Sequence, residues 1–251
     1  MREVTIEVEG LARRYGRRWA LADVTFSVPP ATLMMVAGRN GAGKSTLFRV
    51  LATAIRPDRG IVRIGGFDVV RHREDVRRLT AMLAHQNYLY DSLTAKENLQ
   101  IVADHLGIAR TGIGALLEQV GLGGRVDDVV STFSAGMRKR LSFARVLLQE
   151  PSVVLLDEPY GALDPQGFDL VDEVIGKLKS RGATILMATH QWERGAAIAD
   201  LALVLEQGRV VGSAAVPAAG PAASRAADAC GETPQGQPAK TPALLLQETS
   251  C

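Results

Sequence analysis

Glycines at 38, 41 and 43, a lysine at 44 and hydroxyls at 45 and 46 stand together in the run GRNGAGKST. Such a composition suits a loop that cradles phosphate, because glycines let backbone N–H groups wrap oxyanions without Cβ obstruction. Lys44 supplies a point charge for the β and γ phosphates, and the Ser45 hydroxyl is a ligand for Mg²⁺. Arg39, Asn40, Ala42 and Thr46 complete the loop. The preceding run, ATLMMVAG, is apolar and ends in glycine, as a strand buried on both faces would. Helical periodicity follows from Lys44 to Ala54, and that helix's dipole adds about half a positive charge at the same place. The expected ligand is ATP or GTP with Mg²⁺.

The run VVLLDEP (153–159) supplies acids. Its apolar residues make a central strand, and Asp157 emerges at the C-terminal end, where open α/β sheets bind ligands. That carboxylate can hold Mg²⁺. Glu158 comes next and, by strand alternation, is expected to point the other way. It either orients or deprotonates an attacking water, or caps the following turn. His190 ends a parallel-type strand, ATILMATH, and Gln86 ends LTAMLAHQ in the same manner. Both would reach the γ-phosphate region, Gln86 as an amide near Mg²⁺ or the water.

A third stretch, FSAGMRKRL (133–141), begins a helix with small residues. Free N–H groups at Ser134, Ala135 and Gly136 would attract a second anion. Arg138, Lys139 and Arg140 either raise the positive potential there or form a solvated face.

The elements that must carry these groups alternate between strand and helix. Residues 3–8 and 24–28 read as strands joined by a basic loop, and GIVRIGGFDV (60–69) as a hairpin. From 94 to 120 the pattern is helical. Thr94 and Glu97 make a capping box, with Asn98, Leu99 and Ile101 turned inward. A helix near 167–180 and a closing hairpin, LALVLEQGRVV, complete an α/β core with a helical insert at about 87–150. After 211 the composition falls to Ala, Pro, Gly, Ser and Gln, so 212–251 is expected to be a disordered tail; ALLLQ (243–247) is its only helix-like run.

Size and composition set bounds. At 251 residues with 47% hydrophobic content, the chain buries a substantial core. A net charge of +2 gives no argument for nucleic acid, and RRYGRR and RHREDVRR read as solvated faces. No apolar run is long enough to span a bilayer, and the start MREVTIEVEG lacks the apolar centre of a signal peptide. Both cysteines, Cys230 and Cys251, lie in the tail, which suits a reducing compartment.

The ordered motifs GRNGAGKST, HQ (85–86), FSAGMRKRLSFARVLL, VVLLDEP, GALD (161–164) and ATH (188–190) resemble the ATP-binding cassette ATPases over residues 1 to about 211. The resemblance implies an α/β P-loop NTPase fold: a RecA-like core, an N-terminal antiparallel β subdomain and a helical insert. It implies Tyr15 stacking on adenine (with ordinary packing its rival), Glu158 as catalytic base and His190 as γ-phosphate clamp. Gln86 would link nucleotide state to a membrane partner, and Asp164 would serve the nucleotide site. It also implies a head-to-tail homodimer in which Ser134, Ala135 and Gly136 face the partner's ATP. Integral membrane permease subunits would dock at NYLYDSLTAKENL (87–99), where Tyr88 and Tyr90 either meet the permease or pack beneath the insert. The chain would then sit at the cytoplasmic face of the membrane. Among family branches it looks most like the haem-exporter ATPase of cytochrome c maturation, with exporters of drugs, lipids or polysaccharides as the alternative. A purely regulatory nucleotide-binding subunit is a rival of another class, disfavoured by Glu158. Departures from the family pattern are Phe133, Ala135 and Met137 in the signature, Arg39 where proline is common, and Gly161 in place of serine ahead of ALD.

Overall fold

The computed structural model describes residues 3–84 and 86–216. Two strands, β1 (Ile6–Tyr15) and β2 (Arg18–Val28), form a long hairpin. With β4 (Arg59–Ile64) and β5 (Phe67–Asp68) they make a four-stranded antiparallel sheet in the order β2-β1-β4-β5. Both hairpin strands run well beyond the expected 3–8 and 24–28. The basic residues that looked like a loop are paired strand residues, Tyr15 opposite Arg18 and Arg14 opposite Trp19. Long arginine stems cover the exposed aromatic Trp19: Arg14 and Arg59 lie 5.8 and 5.7 Å from its ring.

The second sheet has six strands: β3 (Leu33–Ala37), β6 (Thr80–Leu83), β7 (Val153–Asp157), β8 (Thr184–Ala188), β9 (Leu201–Glu206) and β10 (Arg209–Ala215). Their order is β10-β9-β3-β8-β7-β6, with only the β9–β10 pair antiparallel. The central strands are buried on both faces, and alternate residues feed different cores. Val153, Leu155 and Leu186 meet Ile6, Leu47 and Phe48 on the antiparallel-sheet side. Val154, Leu156 and Met187 meet Leu99, Leu141 and Phe143 on the other side.

Helix α1 (Lys44–Leu51) follows β3 and fills the space between the sheets with Leu47 and Phe48, both fully buried. The basic run at 71–78 forms α2 (Arg73–Leu79), which buries Val76 and leads into β6. Helix formation there follows its acidic first turn and basic last turn, which complement the helix dipole. The insert contains α3 (Ala95–Leu106), α4 (Ile113–Gln119) and α5 (Ala135–Leu148). Thr94 and Glu97 form the expected capping box, each side chain accepting the other's backbone N–H. Asn98 and Leu99 are buried as expected, but Ile101 is 38% exposed: residues 98 and 99 already define the inward face, and 101 lies beyond it.

Helix α6 (Pro165–Ser180) begins with Pro at its first turn. The short α7 (Trp192–Ile198) has no counterpart in the sequence expectation. Gly195 inside it lies so close to Met35 that an added Cβ would stand 2.8 Å from the sulfur. The expected tail boundary at 212 falls inside β10, whose pairing with β9 continues to Ala215. Cys230, Cys251 and the 243–247 run lie outside the described residues.

Thr94→Ala removes one half of the capping box. It is expected to lower stability by about 1 kcal/mol, seen in calorimetry as a midpoint drop of about 2–4 °C.

Candidate functional site

The loop between β3 and α1 is held open from behind. Gly38 has φ 143°, and a Cβ there would stand 2.2 Å from the Leu205 carbonyl oxygen. Gly43 has φ 110°, and its Cβ would meet the Ala20 carbonyl at 2.6 Å. No other residue type fits at either position. The Gly208 N–H donates to the Ala42 carbonyl at 3.0 Å, and the Ala22 N–H to the Gly208 carbonyl at 2.7 Å, so the loop is stapled to β2 and to the β9–β10 turn. Gly43 caps α1 with no side chain over the helix end, which keeps the first-turn N–H groups available for an anion. Lys44 is buried, and its ammonium donates to the carbonyls of Gly38 at 2.5 Å and Arg39 at 3.3 Å.

Parallel register between β7 and β8 sets Asp157 beside Ala188. Asp157 is buried at the strand end. Glu158 does not continue the strand alternation. Its φ is +54°, so the backbone turns left-handed there while its N–H still donates to the Ala188 carbonyl at 2.9 Å. The turn brings its side chain into the same cleft as Asp157 and against His190. The His190 N–H donates to Glu158 Oε2 at 3.2 Å, and His190 Nε2 lies 3.2 Å from Oε1. A strained φ at a non-glycine residue, held by such contacts, is typical of functional positions.

The basic residues of α5 are each engaged in a specific contact and do not form a solvated face. Arg138 pairs with Asp91 and also donates to the Phe133 carbonyl. Arg140 donates to the Val120 carbonyl at 3.3 Å. Lys139 turns inward, only 3% exposed, and donates to the Glu158 carbonyl at 2.9 Å. Burial pushes its pKa below the usual lysine value, a shift opposed by the charges of Asp157 and Glu158. Ser134 caps α5, its hydroxyl accepting from the Met137 N–H at 3.2 Å.

A cleft of about 900 Å³ gathers most of these groups. Asn40 to Thr46, Asp157, Glu158 and His190 line it, with Tyr15 and Arg18 at its rim. Tyr15 is 47% exposed, so it is not packed into a core; the Arg13 guanidinium lies 5.2 Å from its ring. Ala135, Lys139, Gly161 and Ala162 form a further wall. Several expected residues stand apart from the lining. Arg39 is exposed; Gly38 contributes its carbonyl to Lys44 rather than a surface; Ser134 and Gly136 flank Ala135 without lining the cleft. Gln86 is exposed, and its neighbour Asn87 lines the cleft instead, because β6 ends at Leu83 and the chain leaves the strand path before Gln86. Asp164 is exposed and caps α6, accepting from the Gly167 N–H at 2.8 Å. Arg18, Asn87 and Lys139 had no separate signal in the sequence, since each lies beside a motif and not within its fixed positions.

Among the described residues no cluster of three His, Cys, Asp or Glu could hold a metal by itself. The oxygen set on this cleft, one buried carboxylate with the Ser45 and Thr46 hydroxyls, fits a Mg²⁺ ion that also takes phosphate oxygens and water. Away from the cleft, Tyr88 and Tyr90 are 61% and 56% exposed, so they do not pack beneath the insert. Asn98 holds that segment by accepting from the Tyr90 N–H at 2.8 Å and donating to the Tyr90 carbonyl at 3.0 Å. Among the described residues no helix is long and apolar enough to cross a membrane.

Comparison with known proteins adds to this geometry. A family model described as ABC transporter matches residues 21–161. The chain is 38% identical over 215 residues to the daunorubicin resistance ATP-binding protein DrrA3 of Streptomyces coeruleorubidus, covering 84% of this chain and 68% of that one. It is 32% identical to the lantibiotic transport ATP-binding protein SrtF of Streptococcus pyogenes, over 82% of this chain and 89% of the relative. A solved structure titled as the ATP-binding subunit of an ABC transporter superposes with TM-score 0.79 at 30% identity, over 84% of this chain and 90% of the other.

Lys44→Ala removes the buried ammonium from the phosphate loop. It is expected to weaken MgATP binding about 10- to 100-fold, the worth of one or two charge-assisted hydrogen bonds; titration calorimetry measures it, and unchanged affinity would refute the loop's role.

Proposed function

This chain belongs to the ABC transporter family, and on that premise we propose that it is the ATP-hydrolysing subunit of a membrane exporter, acting as a homodimer on separate permease subunits. Its substrate is ATP and its metal Mg²⁺. The observation that carries hydrolysis, beyond binding, is the carboxylate of Glu158, aligned by His190 in the cleft that the phosphate loop opens into. A regulatory subunit that only binds nucleotide would have no use for that pair.

The triphosphate lies against the N–H groups at the start of α1, with Lys44 transferring its hydrogen bonds from loop carbonyls to phosphate oxygens. Tyr15 offers its exposed ring to the adenine. Ser45 and Asp157 would hold Mg²⁺, with Gln86 assigned as a further ligand, and the ion would neutralise charge on the phosphates. Glu158 accepts a proton from the attacking water as its oxygen bonds to the γ-phosphorus and the bond to the β–γ bridging oxygen breaks. His190 holds the carboxylate through its backbone N–H, and we assign its ring the role of donating to the γ-phosphate.

Dimerisation is supported by the start of α5, where Ser134 and Ala135 are exposed at the helix end that the Ser134 hydroxyl caps. A second subunit's ATP would lie there, and we assign Ser134, Ala135 and Gly136 that role. Asp164, at the head of α6, would lie at the same interface. The exposed Tyr88 and Tyr90 offer the permease an aromatic contact with little rotamer entropy to lose. Docking there would place the chain at the cytoplasmic face.

The cargo is where the sequence expectation needs correcting. The likeness to a haem-exporter ATPase has no counterpart in the relatives above, whose names concern daunorubicin resistance and lantibiotic transport. The alternative, an exporter of drugs, lipids or polysaccharides, is the better-supported reading, and we adopt its drug branch on the daunorubicin-resistance relative.

Glu158→Gln is expected to bind MgATP, lower turnover by at least about 100-fold and accumulate as a dimer in size-exclusion chromatography. A variant that stays monomeric with MgATP would argue against the shared site. Removing residues 217–251, which leaves β10 whole, is expected to keep ATPase activity within about twofold of the full chain; a larger loss in a phosphate-release assay would give the tail a role in turnover.

A further inference from the structure

Among the described residues three charged side chains are buried, Lys44, Lys139 and Asp157, and all three line the one cleft. Burying a charge is unfavourable unless the charge is used or paired. Lys44 and Asp157 have evident tasks on phosphate and metal. Lys139 does not: it lies in α5, outside the phosphate loop and the β7 strand end, and its ammonium donates to a backbone carbonyl.

That carbonyl is the one belonging to Glu158. It also receives the Gly161 N–H at 3.2 Å, while the Glu158 N–H donates to Ala188 at 2.9 Å. The residue thus sits at φ +54° with its peptide groups fixed from β8, from the following turn and from α5. A left-handed glutamate relaxes toward the ordinary β region unless something retains it. Of the three ties, the Lys139 ammonium is the only side chain and the only one from the helical insert. Ala135, one turn earlier on α5, lines the cleft with it, so Lys139 connects the exposed end of α5 directly to the turn that aims the carboxylate.

We propose that Lys139 is a positioning residue for hydrolysis: its ammonium holds the Glu158 carbonyl, and so fixes the carboxylate where it can take the proton of the attacking water. The helical insert thereby sets the competence of its own subunit's base, besides whatever it does for a second subunit. This rests on Glu158 being the base.

Lys139→Met tests it. The side chain is near-isosteric and apolar, so the buried site is kept filled without the donor, and folding is expected to be retained. The expected result is a kcat lowered about 10- to 100-fold with KM for MgATP and ATP affinity by calorimetry unchanged within about threefold. Added to Glu158→Gln, Lys139→Met is expected to change the residual rate by less than about twofold, because the group it positions is already gone. Lys139→Gln keeps an N–H donor and is expected to lie between Lys139→Met and the parent. A full-rate Lys139→Met would overturn the proposal. So would loss of kcat and ATP affinity together in both Lys139 variants, which marks a packing role, or a further drop of tenfold on the Glu158→Gln background. Parent-rate hydrolysis by Glu158→Gln would instead remove Glu158 as base, a different failure from an inactive Glu158→Gln beside a full-rate Lys139→Met.

Discussion

One left-handed residue at the end of β7 governs the rest of the cleft. Glu158 at φ +54° breaks the alternation that would have sent its side chain away from Asp157. Such a conformation costs of the order of 1–3 kcal/mol. Three hydrogen bonds at its peptide groups, to Ala188, from Gly161 and from Lys139, contribute about 1 kcal/mol each and offset it. The two effects are comparable, so the turn persists only while its neighbours keep register. That register comes from the buried pairing of Val153 to Asp157 with Thr184 to Ala188.

Placement of α5 rests mainly on packing. The partly exposed Arg138–Asp91 pair is worth at most about 1 kcal/mol. Burial of side chains such as Leu141 and Phe143, both at 0% exposure, contributes about 1.5–3 kcal/mol each. The arginines therefore fix local details, a loop here and a carbonyl there, on a helix already seated by its apolar face. The same hierarchy holds at the phosphate loop. Sterics at Gly38 and Gly43 determine its path, and the Gly208 bonds only trim it.

What the sequence made legible follows the strength of local rules. The phosphate loop, the capping box and the doubly buried strands each carry a short-range physical signature, and the structure has them where the residues said. The long β1–β2 hairpin was missed because arginines on exposed strand positions look like a loop. The α2 helix was missed because a charged run shows little periodicity around one buried valine. At the site, Asp157 and Lys44 were readable from the strand end and the loop spacing; His190 reaches the cleft from two residues beyond the end of β8, not from the strand itself. Glu158's direction was not readable, since strand alternation fails at a left-handed residue, nor was Gln86's exposure, since the chain departs from β6 earlier than the pattern implied. Lys139 was hidden among like charges: nothing local separates the inward lysine from the arginines on either side. The family followed from motif order, whereas none of those motifs carries a signal for cargo.

The lysine folded back onto its own loop has a consequence for how fuel is admitted. With its ammonium already satisfied by Gly38 and Arg39, the loop needs no guest to keep its shape. A loop braced in this way would lose little chain entropy on taking up a triphosphate.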